Sequence, residues 1–275
     1  MPSQLHLSFS RERCCSIKGI EFLSGLEYDK VAMKDGLYHL IVNTVDLFLW
    51  GGKLIGEENL PRRGPAVFIA NHHDAAGPIA AACSIPLRLH PWVIGHMMDE
   101  QMAPAWLQQD FTERQLHLKP PASRWFAEFL CKIAVPLFYS LGCIPVYAND
   151  YERMNYTLDR SMEVLRAGQF LLVFPEDYRL ARDPLTGMQP FQHSFVRLAE
   201  RYHEETGKRL VFYPVTIHPA GYTRIGKPVT YNPLNVIGQE RRRLKTLMEE
   251  TIRSMYFELE GEVTSGLLSP VRKRS

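Results

Sequence analysis

Short apolar runs and longer stretches of helical spacing alternate along the 275 residues of this chain. Five apolar runs predict strands at 67–70, 92–95, 142–146, 170–174 and 210–217. Apolar residues three and four positions apart predict helices at 122–141, 150–167, 191–202 and 240–259. Because strands and helices alternate, the pattern predicts an α/β fold with a mostly parallel central sheet flanked by helices.

The two ends of the chain carry the weakest pattern. Residues 1–34 show no clean period and are interpreted as a poorly defined N-terminal extension. Residues 35–260 form the predicted domain. Residues 261–275, which finish on Arg272-Lys273-Arg274-Ser275, are predicted to form a flexible C-terminal tail.

Two apolar segments raise the question of a membrane, namely Leu37–Trp50 and Trp125–Tyr139. A bilayer span needs about 20 apolar residues. Asn43 and Asp46 interrupt the first segment, and Lys132 and Pro136 the second. We expect both segments to support peripheral contact with a membrane surface, and plain burial in the core is the alternative.

Charge and cysteine content exclude several classes of protein. The 32 basic residues nearly balance the 30 acidic ones and form no long stripe, so no nucleic-acid partner is expected. The five cysteines show no paired spacing, which favours a reducing compartment over a disulfide framework or a zinc site. The first residues lack the apolar core of a signal peptide, so we expect a cytoplasmic location, peripheral to the membrane.

The most informative stretch is the one around Asn71-His72-His73-Asp74, which directly follows the strand predicted at 67–70. A small-residue run that predicts a helix comes next. Ligands of α/β proteins gather where a strand ends and a helix begins, because the helix N-terminus offers unpaired N–H groups. His72 is therefore the candidate general base. A metal site at His72, His73 and Asp74 is disfavoured, since adjacent residues on a strand point to opposite faces.

Four sequence blocks carry a family resemblance. In chain order they are Asn71-His72, Gly142-Cys143-Ile144-Pro145-Val146, Phe174-Pro175-Glu176-Asp177-Tyr178-Arg179 and Pro214-Val215. Their order and spacing resemble the phospholipid and glycerol acyltransferase family, which contains the bacterial lysophosphatidic acid acyltransferases. The resemblance covers roughly residues 35–260.

The resemblance implies transfer of a fatty acyl group from a thioester to the hydroxyl of a lysophospholipid or related lipid. Acyl-CoA or acyl carrier protein would be the co-substrate, with no other cofactor and no metal. An imidazole with a pKa of about 6.5 suits the removal of a hydroxyl proton, which is the role implied for His72. The resemblance assigns Glu176 and Arg179 to the acceptor side. Asn71, Phe174 and Pro175 complete the implied binding set, the latter two as residues that shape the turn.

The chain departs from the family pattern at two positions. The aspartate expected five residues after His72 is Gly77, and the arginine expected after the second block is Ala148. Since Asp177 stands where the family has glycine, we hypothesise that its carboxylate supports His72. Asp74 is the rival candidate, although it also suits a helix cap.

Structural interpretations of the same residues remain open. His72 could be a structural histidine, and Glu176 could form an ion pair with Arg179. The alternative function is therefore a non-catalytic relative that binds acyl chains or an acyl carrier protein.

Overall fold

The computed structural model describes residues 35–45, 52–72, 76–114, 116–147 and 150–271. The helices are α1 Asp35–Val45, α2 Ala76–Ser84, α3 Ala103–Leu107, α4 Ala122–Leu141, α5 Tyr151–Arg166, α6 Val196–Thr206 and α7 Ile237–Thr264. A π-helical segment, Gln108–Glu113, extends α3. The strands are β1 Lys53–Ile55, β2 Ala66–Ala70, β3 Leu89–Ile94, β4 Ile144–Val146, β5 Phe170–Val173, β6 Val211–His218, β7 Tyr222–Ile225 and β8 Val229–Thr230.

One sheet joins all of these strands in the order β1-β7-β6-β2-β5-β3-β4, with β8 paired to β6. The five strands from β6 to β4 are mutually parallel, whereas β7 and β8 run antiparallel to β6. The predicted fold class, an α/β domain with a mostly parallel sheet, is confirmed.

The central strands are buried on both faces because helices cover both sides of the sheet. On one face, Val67 and Ile69 of β2 lie in a core shared with α5, α6 and α7. On the other face, Phe68 and Ala70 pack with residues of α2. This double burial explains why these strands are almost uninterrupted apolar runs in the sequence.

Some predicted boundaries differ from the observed ones. The helix predicted at 191–202 begins only at Val196, because Phe191 is instead bridged antiparallel to Glu176. The domain boundary predicted at residue 260 falls inside α7, which continues to Thr264. Beyond this helix, the Val271 N–H donates to the carbonyl of Ala220, 2.9 Å away, so ordered contacts extend into the segment predicted as a tail. Residues 1–34 and 272–275 lie outside the described residues.

Helix α1 includes the start of Leu37–Trp50, the first of the two segments expected to contact a membrane. Tyr38 and Val42 of this helix are buried and lie four positions apart, and the Val42 carbonyl accepts a bond from Cys83 of α2. The end of this segment, residues 46–50, lies outside the described part of the chain. In the described ranges, no helix is both long enough and apolar enough to cross a bilayer.

Candidate active site

Strands β2 and β5 bring the first and third sequence blocks side by side. The two strands are parallel neighbours with Ala66 opposite Phe170 and Ile69 opposite Val173. The same register, continued past the strand ends, places His72 opposite Glu176. The backbone N–H of His72 indeed donates to Oε1 of Glu176 at 2.7 Å. Two motifs about a hundred residues apart in sequence are therefore joined by one hydrogen bond at the carboxyl edge of the sheet.

The imidazole of His72 lies on the α2 side of the sheet. Its ring meets the ring of Phe174 edge-on, with centroids 5.2 Å apart and planes at 76°. Phe174 packs against the core formed by Phe68, Ala70 and residues of α2. Side chains alternate along a strand, so His72 continues the face of Phe68 and Ala70. This face leads toward the N-terminal turn of α2.

Gly77 occupies that turn, directly beside His72. A Cβ added at Gly77 would lie 3.5 Å from Cα of His72 and 3.5 Å from the carbonyl oxygen of Asn71. Both separations are ordinary van der Waals contacts. The position where the family carries its aspartate is thus adjacent to the histidine in space, and it has room for a β-carbon.

Glu176, which accepts from the His72 N–H, has a strongly raised pKa. Its second oxygen, Oε2, accepts from the backbone N–H of Gln189 at 2.8 Å. Burial raises its pKa to about 7, against the opposing effect of the two backbone N–H bonds and of Arg182 and Arg253. Both oxygens contact backbone, so Glu176 connects the end of β2 to the loop after β5.

Asn71 is buried and bonds to the neighbouring strand β6. Its Oδ1 accepts from the Ile217 N–H at 2.7 Å, and its Nδ2 donates to the Ile217 carbonyl at 3.0 Å. The amide therefore replaces the backbone pairing of β2 just beyond the strand's last residue. This pairing holds the chain in place at the point where it delivers His72. The implied role of Asn71 in substrate binding stays a prediction.

Asp177 forms a two-point ion pair with Arg179. Nε of Arg179 lies 2.8 Å from Oδ1, and Nη2 lies 2.7 Å from Oδ2. These bonds to Arg179 lower the pKa of Asp177 to about 2. Arg179 thus engages both oxygens of the carboxylate that we expected to support His72. That hypothesis stays a prediction, and so does the implied contact of Arg179 with the acceptor.

The second block forms the edge of the sheet, two strands away from β5. Gly142 caps α4 in a left-handed conformation with φ of 75°, and Ile144–Val146 is β4. Tyr147 follows β4 directly. The Arg153 guanidinium of α5 stacks on its ring, 5.2 Å from the ring centroid. Ala148, which replaces the family arginine, lies outside the described residues.

Pro214 and Val215, the fourth block, lie on β6 opposite Ile69 and Ala70 of β2. Pro175 accepts a bond from the N–H of Gln192 through its carbonyl, which fits a residue that shapes the turn. Asp74 and His73 lie outside the described part of the chain. Within that part, no group of three or more histidine, cysteine, aspartate or glutamate residues could hold a metal ion.

Sequence reasoning missed two partners of the site, Gln189 and Ile217. Both contact it through backbone groups, which every residue type except proline offers. No side-chain signal in the sequence could have identified them.

Comparisons with known proteins agree with the resemblance drawn from the motifs. The family model described as Acyltransferase matches residues 126–223, which contain the second, third and fourth blocks. The resemblance to the phospholipid and glycerol acyltransferase family is thereby confirmed. No curated protein matches this chain.

Among solved structures, the chain is similar to the 1-acyl-sn-glycerophosphate (LPA) acyltransferase PlsC from Thermotoga maritima. The alignment covers 84% of this chain and 96% of that one, at a TM-score of 0.45 and 12% identity. A likeness this loose does not bear on the donor or the acceptor.

Proposed function

We propose that this protein transfers a fatty acyl group from a thioester to the hydroxyl of a lysophospholipid or related lipid acceptor, with His72 as general base. The observation that carries the proposal is the junction of His72 with the third block, through Phe174 and Glu176, at the carboxyl edge of the sheet. The match of the Acyltransferase family model supports acyl transfer as the class of activity.

The reaction first needs a base and then a proton donor, and His72 serves as both. His72 takes the proton of the acceptor hydroxyl as its oxygen attacks the thioester carbonyl carbon. The tetrahedral intermediate then collapses, the carbon–sulfur bond breaks, and the imidazolium returns the proton to the departing thiolate. Acyl-CoA or acyl carrier protein serves as the donor, and the products are the acylated lipid and a free thiol.

Glu176 acts in this proposal as a positioning residue. Its two oxygens accept from the His72 and Gln189 N–H groups, so it fixes the position of the His72 backbone. Its implied contact with the acceptor stays a prediction. Arg179 remains the candidate contact for the acceptor headgroup, because its side chain is 54% exposed despite its ion pair with Asp177.

The direct test incubates the protein with acyl-CoA and a panel of lysolipids and identifies products by mass. The expected result is an acylated lipid and released thiol in wild type, with neither in His72→Ala. Equal product formation by both proteins would remove His72 as the base.

Gly77→Asp tests whether the missing carboxylate limits the rate. Loss of the corresponding carboxylate in a serine protease triad lowers kcat by about 10⁴-fold. Restoring an aspartate beside His72 is therefore expected to raise the rate by about tenfold or more. Gly77→Asn adds a side chain of similar size without charge and is expected to give no gain. If Asp177 already supports His72, Gly77→Asp will bring no gain either, and Asp177→Asn will abolish activity.

The pH dependence of the free energy of unfolding tests the raised pKa of Glu176. Its pKa is raised to about 7, so the folded protein holds this proton more tightly than the unfolded chain. The resulting stabilisation is complete below the ordinary carboxyl pKa of about 4.3 and is lost as the pH rises through about 7. In urea unfolding, the stability of wild type relative to Glu176→Gln should fall across this window. A constant difference would contradict the raised pKa.

A non-catalytic acyl-binding protein is the second candidate, and Gly77 is the observation that favours it. In that case wild type, His72→Ala and Gly77→Asp would share one background rate of thioester cleavage. Saturable binding of a fluorescent acyl-CoA would remain in all three proteins.

We also propose that the protein associates with a membrane surface through α4. Its outward residues include Trp125, Phe129 and Ile133, which are 69%, 58% and 55% exposed. Lys132 is exposed among them, and a tryptophan beside a cation is typical of a helix at the headgroup level. Flotation with liposomes of neutral and of anionic lipid tests this proposal. Protein that stays at the bottom of both gradients would contradict it.

A further inference from the structure

The loop that follows β5 is attached to helix α7 by an arginine. We define the site loop as residues 177–190, which directly follow Glu176. Nη1 of Arg253, on α7, lies 2.5 Å from Oδ2 of Asp183 and 3.5 Å from Oγ1 of Thr186. Arg253 therefore contacts two positions of the site loop from the helix that covers this face of the sheet.

The carboxylate that Arg253 binds lies at the centre of a turn within the site loop. Oδ1 of Asp183 accepts from the N–H groups of Leu185 and Thr186, at 2.8 and 3.0 Å. The Asp183 N–H donates to the carbonyl of Met188 at 2.8 Å, which closes the turn. Arg253 thus holds the side chain around which the turn is built.

This turn leads directly to the glutamate that contacts His72. The next residue is Gln189, whose N–H donates to Oε2 of Glu176 at 2.8 Å. Oε1 of the same carboxyl group accepts from the His72 N–H at 2.7 Å. A continuous series of contacts therefore runs from Arg253 through Asp183 and its turn to the backbone of His72.

Helix α7 also holds the residue that follows the site loop. Oε2 of Glu249 accepts from the N–H of Phe191 at 3.2 Å, and Phe191 is bridged to Glu176. The other oxygen of Glu249 lies 3.6 Å from Nη2 of Arg253, and Lys245 lies 2.7 Å from Oε2. The two residues of α7 therefore fix the site loop and its continuation together.

The contacts of Glu176 suit an ionised carboxylate. Both of its oxygens accept, whereas a protonated carboxyl group carries a hydrogen on one oxygen. Burial raises the pKa of Glu176 to about 7, and its two backbone bonds and the charges of Arg182 and Arg253 oppose this rise. The titratable and charged groups of the segments that pack around Glu176 are His72 after β2, Asp177, Arg179, Arg182 and Asp183 in the site loop, His193 after it, and Lys245, Glu249 and Arg253 on α7.

We propose that Arg253 is a positioning residue of the His72 site: it holds the site loop through Asp183 and favours the ionised form of Glu176, which fixes the His72 backbone. Arg253 acts from the α7 side of the sheet, whereas the imidazole of His72 lies on the α2 side. It therefore works through Glu176 and does not touch the substrate. Its effect on catalysis rests on the proposed function, whereas its effect on Glu176 does not.

The pH dependence of the transfer rate tests this role. Arg253→Gln should lower kcat about threefold to tenfold at pH 7 but less than about twofold at pH 9, where Glu176 is ionised without help. Arg253→Lys keeps the charge and should restore most of the rate at pH 7. The matched control is Arg241→Gln, because Arg241 also lies on α7 and forms a two-point ion pair, with Glu200, at 2.6 and 2.5 Å. It should keep the wild-type pH profile.

Urea unfolding tests the effect on Glu176 without any activity. The stability of wild type relative to Glu176→Gln should fall as the pH rises through about 7, since the folded protein holds this proton more tightly than the unfolded chain. The same difference, measured between Arg253→Gln and Arg253→Gln/Glu176→Gln, should fall at a higher pH, because the pKa of Glu176 rises further when the arginine is removed. In the Arg241→Gln background the fall should stay at the wild-type pH.

Two results would overturn the proposal. An identical pH window in the presence and absence of Arg253 would show that Arg253 does not act on Glu176. A loss of rate in Arg253→Gln that is equal at pH 7 and pH 9, with no recovery in Arg253→Lys, would assign Arg253 to the stability of the loop alone.

The two measurements separate this inference from the proposed function. If wild type transfers no acyl group but removal of Arg253 moves the unfolding window, the effect of Arg253 on Glu176 stands and the proposed function fails. If wild type is active and neither the window nor the rate profile moves, the proposed function stands and the role of Arg253 fails.

Discussion

Helices α4 and α7 are the two longest described helices, and they bury opposite kinds of side chain. Helix α7 buries large residues, among them Leu244, Met248 and Ile252, against the main core. Helix α4 buries the smaller Ser123, Ala127 and Cys131, and it exposes Trp125 and Phe129.

The packing partners explain why α7 buries large side chains and α4 buries small ones. Helix α7 lies on the sheet, where a broad apolar face needs bulky side chains to fill it. Helix α4 instead packs on α3 and the π-helical segment. Cys131 and Val135 of α4 join Ala103 in a small separate cluster, with Tyr139 packed against it. Polar contacts hold α4 close to the π-helical segment, such as the bond from Thr112 Oγ1 to the Ser123 carbonyl at 3.0 Å. Helical spacing therefore identifies a helix, but it does not identify the side that faces water.

The sharpest test of the contrast removes one large side chain from each helix. Met248→Ala should lower the free energy of unfolding by about 2–5 kcal/mol, because it leaves a cavity in the main core. Phe129→Ala removes a comparably large but exposed side chain and should change the free energy of unfolding by less than about 0.5 kcal/mol. Urea unfolding measures both. Equal destabilisation by the two changes would mean that another part of the chain covers Phe129.

Enlarging a small residue tests the buried side of α4. Ala127→Leu should cost about 1–3 kcal/mol, since the added atoms have no space between α4 and its partner. Thr246→Leu, at an exposed position of α7, is the control and should be nearly neutral. A neutral Ala127→Leu would show that the inward face of α4 is loosely packed.

Lipid binding tests the outward side of α4. Trp125→Ser/Phe129→Ser should lower partition into phosphatidylcholine and phosphatidylglycerol vesicles by about tenfold. Phe257→Ser, which replaces the exposed aromatic residue of α7, should leave binding unchanged. Co-sedimentation provides the measurement. Equal losses from both helices would remove α4 as a specific contact with lipid.

A smaller effect is expected at the edge of the second block. Arg153 stacks on Tyr147, which precedes Ala148 in the sequence. If it contributes to holding an anionic acceptor, Arg153→Gln should raise KM for a phosphate-bearing lysolipid by about threefold to tenfold, with kcat little changed. An unchanged KM would confine Arg153 to its contacts with Tyr147 and Asp150.

The sequence was sufficient for the central layers of the fold. The apolar run that became β5 could be recognised because a parallel strand covered on both faces needs apolar residues at every position. Strands β1, β7 and β8 were missed, because they are short and include polar residues such as Lys53, Thr223 and Arg224 without clear alternation. The order β2-β5-β3 required the structure, since sequence order does not specify which strands become neighbours.

For the candidate site, the sequence by itself determined the residue types: a histidine after one strand, a glutamate after another, and a glycine where the family carries its aspartate. Only the tertiary structure decided what each of them contacts. It placed the Glu176 carboxylate on two backbone N–H groups, paired Asp177 with Arg179, and left Gly77 beside His72 with space for a β-carbon. The physical reason is that a motif records side-chain chemistry, whereas these partners are set by strand register and by backbone groups that all residue types share.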